Sequence, residues 1–392
     1  MDGAKLRAWW WRKQGLDGSL QGKSPAAILE RSGWARSVGG AGPYFTLFAR
    51  GGVSREAADA AAAKREIHEL PSARGCTYVL PSSDFALGLL AGQGGDQEMR
   101  AAMKLGVTEK EIDALCAAVV KALAKEPLEP DQIREATGKA SRSLGEEGKK
   151  KGLTTTLPIA LGRLQSQGAI RRISTNGRFD QQRYRYAVWS PGPLEKSRLT
   201  REEAMVELAR RYFRWIGPAT LKEFQGFSSL GVKDSKQATE PLGLVPLEKD
   251  SELLMTRDDR DAFDDFRPPR EPQVALVGSI DAMVLHRRDV VGLLDPRDMD
   301  REVLGDKGMT SVARITDLPS HAILDRGRLV GLWEYDTEAG GIVWTSWIKG
   351  PEVRAAVARM ESFVRDQLGD ARSFSLDSPK SRKPRLEALR AG

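Results

Sequence analysis

Apolar positions follow a helical period through most of the first 270 residues and turn strand-like after that. Met205, Leu208, Tyr212 and Trp215 fall on one stripe of a helix opening at Thr200, where Thr200 and Glu203 fit a capping box. Thr108 and Glu111 open a similar helix, which continues as IDALCAAVVKALAKE until Pro127 and Pro130 break it. DQIREAT then predicts a short helix. Upstream, residues 4–14, the run that Pro25 opens after Ser24, residues 43–50 and residues 54–67 read as helices. RGCTYVLP at 74–81 reads as a strand. Pro218 opens a further short helix, ATLKEFQGFSSLG, and FRPPREP reads as a linker after the acidic run DDRDAFDDF. From Val274 to about Ile348 the segments VALVGSIDAMVL, ARITDLPSHAIL, RLVGLWEYD and GIVWTSWI predict strands. A final helix, EVRAAVARMESFVRDQLG, precedes a basic tail.

The stretch from Leu153 to Trp189 combines two patterns. A helix-length segment runs into Gly168, and two strand-like runs follow, joined around Asn176-Gly177, a strong hairpin signal. Pro158 lies inside the helical pattern, so the helix either starts there or kinks. A helix followed by a basic hairpin is the layout of a winged helix, whose recognition helix enters the major groove while the wing follows the backbone or minor groove.

Charge points the same way. The whole chain carries only +7, but between Thr137 and Trp189 eleven lysines and arginines face three acidic residues, Glu146, Glu147 and Asp180. Arginine suits phosphate and guanine edges because its planar fork bonds them bidentately. Arg163 and Gln165 fall near the end of the expected recognition helix, Arg171 and Arg172 on the first strand, and Arg178 at the wing tip. Arg183 and Arg185 share one strand face, opposite Tyr184 and Tyr186. A solvated basic face, or a winged helix used for protein contact, is the plainer alternative.

The expected fold class is α+β, with tandem winged-helix units followed by a β-rich C-terminal region. The units are drawn at 1–106, 107–195, 196–270 and 271–392. No run of about 20 apolar residues exists, so no membrane span is expected. The N-terminus has no uninterrupted apolar core of a signal peptide, and its three consecutive tryptophans are expected to pack rather than anchor. Cys76 and Cys116 form no disulfide framework, which suits a reducing, cytoplasmic setting. His68, His286 and His321 are far apart and give no metal-ligand spacing, so neither a metal nor another cofactor is expected.

One segment carries a resemblance. RRYFRWIGPATLKEFQGFSSLG, residues 210–231, resembles the RRYL-x-x-(F/Y)-GPAT signature of the winged-helix DNA-binding family that includes the AlkZ/YcaQ-type DNA glycosylases. ARGCTYVLPSSDF at 73–85 is similar to the family's RGTLHLV segment, with Tyr78 replacing its histidine. VALVGSIDAMVLHRRD at 274–289 is similar to its LLP-x-FD segment, with Asp281 at the aspartate. ILDRGRLVGLWEYD at 323–336 matches DG-x-x-x-G-x-W at Gly331 and Trp333.

The resemblance implies tandem winged helices around a concave surface for double-stranded DNA, damaged DNA included, with Arg210 and Arg211 of the signature among the DNA contacts. It also implies cleavage of N-glycosidic bonds of alkylated or crosslinked purines by a Gln-x-Gln or Gln-x-Asp pair that holds and polarises a water. Here Gly40 and Gly42 stand where the pair belongs, and glycine can hold neither water nor charge. Gln165-Ser166-Gln167 lies in the wrong unit to replace it. Asp281, Asp84 and Glu69 are the remaining acid–base candidates, each weighed against a structural role. Three readings follow: a DNA-binding protein of repair or protection lacking the pair, a glycosylase with a relocated catalytic residue, or a protein-interaction module suggested by exposed-looking tryptophans.

Overall fold

A computed structural model describes residues 2–93 and 97–392. The first helix, Gly3–Lys13, is capped by the Asp2 side chain and buries all three of its tryptophans. Trp9 and Trp10 donate their ring N–H groups to the carbonyls of Gly217 and Pro218, and Trp11 donates to Gln273. Seven of the nine tryptophans are buried, and Trp344 and Trp347 are partly buried. No tryptophan is exposed, which corrects the expectation of exposed tryptophans behind the interaction-module reading.

The same order of elements occurs three times. In the first instance, helix Pro25–Ser32, strand Ala35–Arg36, helices Gly42–Gly51 and Arg55–Ala63, and strands Ile67–Pro71 and Thr77–Pro81 follow one another. The short strand pairs with the last one, giving a sheet in which Thr77–Pro81 is central. In the second, helix Glu109–Ala122 leads to Leu128, which bridges to Tyr186. Helices Pro130–Thr137 and Leu157–Ser166 and strands Ile170–Ser174 and Tyr184–Val188 complete it. In the third, helix Arg201–Ile216 leads to Ala219, which bridges to Leu254. Helices Leu221–Ser228 and Val232–Thr239 and strands Val245–Pro246 and Leu254–Met255 follow.

Several boundaries differ from the sequence expectation. The helix drawn at 153–167 starts at Leu157, with Pro158 in its first turn where a missing N–H is harmless. The helix drawn at 54–67 ends at Ala63, because Arg65 takes a left-handed φ of 61° and Ile67 already belongs to a strand. The strand drawn at 74–81 begins at Thr77, because Arg74 is also left-handed. Asn176-Gly177 makes a local turn, with Gly177 N bonded to Ser174 O, but the hairpin loop runs on to Arg183.

A four-stranded antiparallel sheet ties the molecule together, in the order Gly341–Ser346, Arg328–Asp336, His321–Asp325, Val274–Val277. Both faces are covered. Leu276, Ile323, Trp333 and Tyr335 pack with Phe45, Leu47 and helix Pro351–Phe363. Ala275, Val277, Ala322, Leu324 and Leu332 pack with the three tryptophans. Burial on both sides explains why VALV and HAIL read as continuous apolar runs rather than alternating ones.

Among the described residues, three of the four hydrophobic clusters join distant parts of the chain, two of them across both expected boundaries at 106 and 270 and the third across 106. Only the cluster spanning Met99 to Ile170 is local. Among the described residues no helix is long and apolar enough to cross a membrane.

Candidate nucleic-acid interface

Strand register sorts the side chains of the basic hairpin. Arg172 lies opposite Tyr186 and Ser174 opposite Tyr184, so these four share a face. Arg171, Ile173 and Arg185 share the other, and Arg183 continues it just beyond the strand.

The tyrosine face turns inward. The Arg172 guanidinium lies 4.6 Å over the Tyr184 ring, donates to Thr77 and stands 3.5 Å from a Glu69 carboxylate oxygen. The other face has no such partner. Arg171, Arg183 and Arg185 meet no carboxylate among the described residues, and the Nε of Arg185 is buried without a hydrogen bond. Burial, helped by neighbouring Arg65, pulls the Arg171 pKa below its ordinary value. Arg65 belongs to this cluster and carried no sequence signal, since it stands at a left-handed turn that only the folded chain brings beside the hairpin.

The remaining arginines are engaged internally. Arg163 reaches Asp113 and Glu109 on helix Glu109–Ala122 at 3.0 and 2.6 Å. Gln165 donates to the Leu161 carbonyl one turn back. Arg178 does not project from a wing tip: it chelates Asp180 and donates to the Leu368 carbonyl. Beside it Phe179 is buried against Tyr44, whose hydroxyl accepts the Phe179 N–H. The hairpin loop is therefore docked into the body. Arg210 pairs with Glu207 at the surface, while Arg211 bridges Glu207 and buried Asp84.

The three candidate carboxylates are enclosed. Asp281 caps helix Ala282–Leu285 and takes both Nη atoms of Arg50 at 2.8 Å. Burial would raise its pKa, but the Arg50 pair overrides that and holds the carboxyl below its usual range. Asp84 accepts Trp34 Nε1 and pairs with Arg211, yet burial dominates and pushes its pKa up. Glu69 is buried and accepts the Ser37 hydroxyl at 2.5 Å. All three side chains are buried.

The glycine stretch lies between strand Ala35–Arg36 and helix Gly42–Gly51. A C-terminal segment covers it: Ala41 N donates to Arg372 O at 2.9 Å, and Ser375 N donates to Val38 O at 3.0 Å. A Cβ on Gly40 would come closer than 3.0 Å to the carbonyl oxygens of Arg372 and Ser373. At Gly42 it would touch Ile280 and the Arg36 carbonyl. The Gln182 side chain lies across Gly39 and donates to Val38 O at 3.3 Å. The covering segment is itself pinned by Ser373 N to Asp377, Ser279 to Ser373, and His321 to Ala371 O.

A family described as DNA glycosylase AlkZ-like matches residues 36–363. The chain belongs to the AlkZ-like DNA glycosylase family. Its fold is similar to that of the Streptomyces sahachiroi DNA glycosylase AlkZ, with a TM-score of 0.68 at 17% identity, covering 95% of this chain and 98% of that one. No curated protein matches the sequence.

Within this AlkZ-like chain the GPAT signature has a visible structural role. The Pro218 carbonyl accepts from Trp10 and from Arg287, and the Arg287 guanidinium also lies 3.5 Å over the Trp10 ring. Thr220 and Glu223 form a reciprocal capping box. The motif thus fastens the first helix to the third repeat.

Proposed function

We propose that this member of the AlkZ-like family is a double-stranded-DNA-binding protein of DNA repair or protection in the cytoplasm. In this reading it grips DNA without cleaving a glycosidic bond at the glycine stretch. Each of the three repeated element orders is taken as a winged helix. Together they make a tandem set over the units drawn at 1–106, 107–195 and 196–270, with 271–392 as the β-rich remainder.

The observation that carries the proposal is the pinned backbone of Arg372 and Ser373 against Gly40. It leaves no room for the side chain that would hold a water. The hairpin face of Arg171, Arg183 and Arg185, with Arg65 beside it, supports the binding role. Clustered cations without carboxylates lose mutual repulsion when a phosphate arrives, and each contact releases counterions.

The test has two arms. Mobility shift of a duplex should show steep salt dependence that weakens on reversal of these arginines. Incubation with several alkylpurine duplexes should release no free base above background. Flat salt dependence would overturn the binding role, and base release would overturn the non-catalytic one.

One observation favours a second reading. Gln182 brings an exposed amide from the hairpin loop to Gly39, next to where the family pair belongs. Base release that disappears in Gln182→Ala would select a glycosylase with a relocated amide.

A further inference from the structure

Leu376 is the most exposed large apolar side chain among the described residues, at 83%, and Phe374, two positions before it, is at 43%. Exposed leucines are common on their own. This one stands on a loop that is tied down. Within Ala371–Asp377, Ser373 N donates to Asp377, Asp377 N to the Phe374 carbonyl, and Asp377 pairs with Arg385 at 2.6 Å. Ala371 and Asp377 are buried at its two ends. The backbone around Phe374 and Leu376 is fixed, so their exposure is built in rather than a result of fraying.

The surroundings define what would cover them. The loop lies on Val38–Ala41, and Arg372 donates to the Asp180 carbonyl in the hairpin loop. Gln182 reaches the same Val38 carbonyl, which brings exposed Arg183 to this edge. On the other side the loop runs into helix Pro379–Ala391, whose first turns carry exposed Lys380 and Lys383. Two apolar side chains held out between cations match a polyanion with an apolar interior, which is a DNA duplex opened at one base step. Minor-groove proteins use leucine and phenylalanine in this way, separating a step and bending the helix.

We infer that Leu376, backed by Phe374, is a wedge that enters a base step of the bound duplex. The inference rests on the DNA-binding reading. It gives the closed glycine stretch a consequence: the loop that fills the family's catalytic position also presents the wedge. DNA would be kinked there instead of having a base taken into a pocket.

The experiment uses the full chain and a duplex carrying 2-aminopurine at successive positions, with dyes at both ends to read bending. Wild-type protein should raise 2-aminopurine fluorescence at one step and shorten the end-to-end distance. Leu376→Ala should lose both signals. Its affinity should fall only about three- to tenfold, because lost apolar burial is partly offset by restored stacking. The slope of affinity against salt should stay unchanged, since no phosphate contact is removed. Arg183→Glu should behave in the opposite way, with a shallower salt slope and the fluorescence rise retained at saturation.

Tight binding by wild type without unstacking or bending would overturn the wedge and leave the DNA-binding reading intact. Absence of duplex binding by wild type would overturn both. A Leu376→Ala effect confined to self-association, read by sedimentation, would assign the side chain to a protein contact and also overturn the wedge.

Discussion

One face of the hairpin in segment 99–188 and the body around it use charge in opposite ways. In the body, arginines are held opposite buried carboxylates: buried Arg50 with Asp281, and half-buried Arg211 with Asp84, each acid almost fully enclosed. On the hairpin of the central segment, Arg171, Arg183 and Arg185 stand on a face where they meet no carboxylate among the described residues. The body also holds all three histidines and shares its hydrophobic clusters between distant stretches, while the central segment has a cluster of its own and no histidine. An internal pair positions backbone and says little about ligands. A bare set of cations adds nothing to stability and makes sense mainly in terms of what binds it.

The sharpest break of this contrast is at Arg50. Arg50→Met leaves the Asp281 carboxylate buried without its counter-charge, which costs about 3–5 kcal/mol. Chemical denaturation should read that loss. Pairing Arg50→Met with Asp281→Leu should recover much of it, because both charges are then gone. A single variant as stable as wild type would mean that the pair is not what holds helix Gly42–Gly51 to Asp281.

Gly40 tests the closed site on the body side. Gly40→Ala places a methyl against the backbone of Arg372 and Ser373, and overpacking of this kind costs about 1–3 kcal/mol. Gly42→Ala meets tight contacts with Ile280 and the Arg36 carbonyl, none under 3.0 Å, and should cost less. Equal, negligible effects at both would show that the C-terminal segment yields easily and that the glycine stretch is accessible.

Acid should separate the two regions. Burial holds His68 down to about 3 and His286 down to about 4, and lowers His321 as well. A histidine with a depressed folded pKa binds fewer protons folded than unfolded. Stability is therefore fully present above about pH 6.5, and is lost as pH falls from there toward the folded values. Each histidine contributes a slope of about 1.4 kcal/mol per pH unit within its window. Hydrogen exchange at pH 5 should lose protection first around His68, His286 and His321, before helices Glu109–Ala122 and Leu157–Ser166. Simultaneous loss everywhere would mean that the central segment has no independent stability.

Much of this arrangement was legible in the chain, and what was not has a physical reason. Capping residues and proline positions located helices such as Arg201–Ile216 within a residue. The hairpin was visible from its two apolar–basic runs. The GPAT signature and its companions pointed to the family, which the match over residues 36–363 established. The partners of the arginines were not legible, because Arg163 and Asp113, or Arg178 and Leu368, meet only across folded elements. The shared clusters were hidden for the same reason. Periodicity shows that a face is apolar but not which distant face covers it. The C-terminal segment over Gly40 carried no signal at all, since Ala371–Asp377 falls between the last expected helix and the basic tail, and the tail itself folds as helix Pro379–Ala391.

The wing arginines sharpen the comparison further. Replacing Arg171, Arg183 and Arg185 with alanine should leave thermal stability almost unchanged. Each substitution that removes a phosphate contact should lower the salt slope of DNA binding by about 1. Arg171→Ala alone should be neutral or slightly stabilising, because it relieves repulsion with Arg65. An unchanged salt slope in the triple variant would move the interface to another face.

Arg163 should give the smallest effect, and that is its value as a test. The residue sits in the helix a winged-helix reader would place in the major groove, so its sequence position predicts a direct DNA contact. Its guanidinium is instead spread over Glu109 and Asp113, both well exposed to solvent. Exposed pairs of this kind are worth about 0–1 kcal/mol, so Arg163→Ala should lower stability by no more than that. DNA affinity should change less than for any single wing arginine, because the two carboxylates it leaves behind lie on the neighbouring helix rather than on the hairpin face. A loss in affinity as large as that of Arg185→Ala would mean that Arg163 leaves Glu109 and Asp113 for a phosphate on binding. The division between internal and outward arginines would then hold for the free protein and not for the complex.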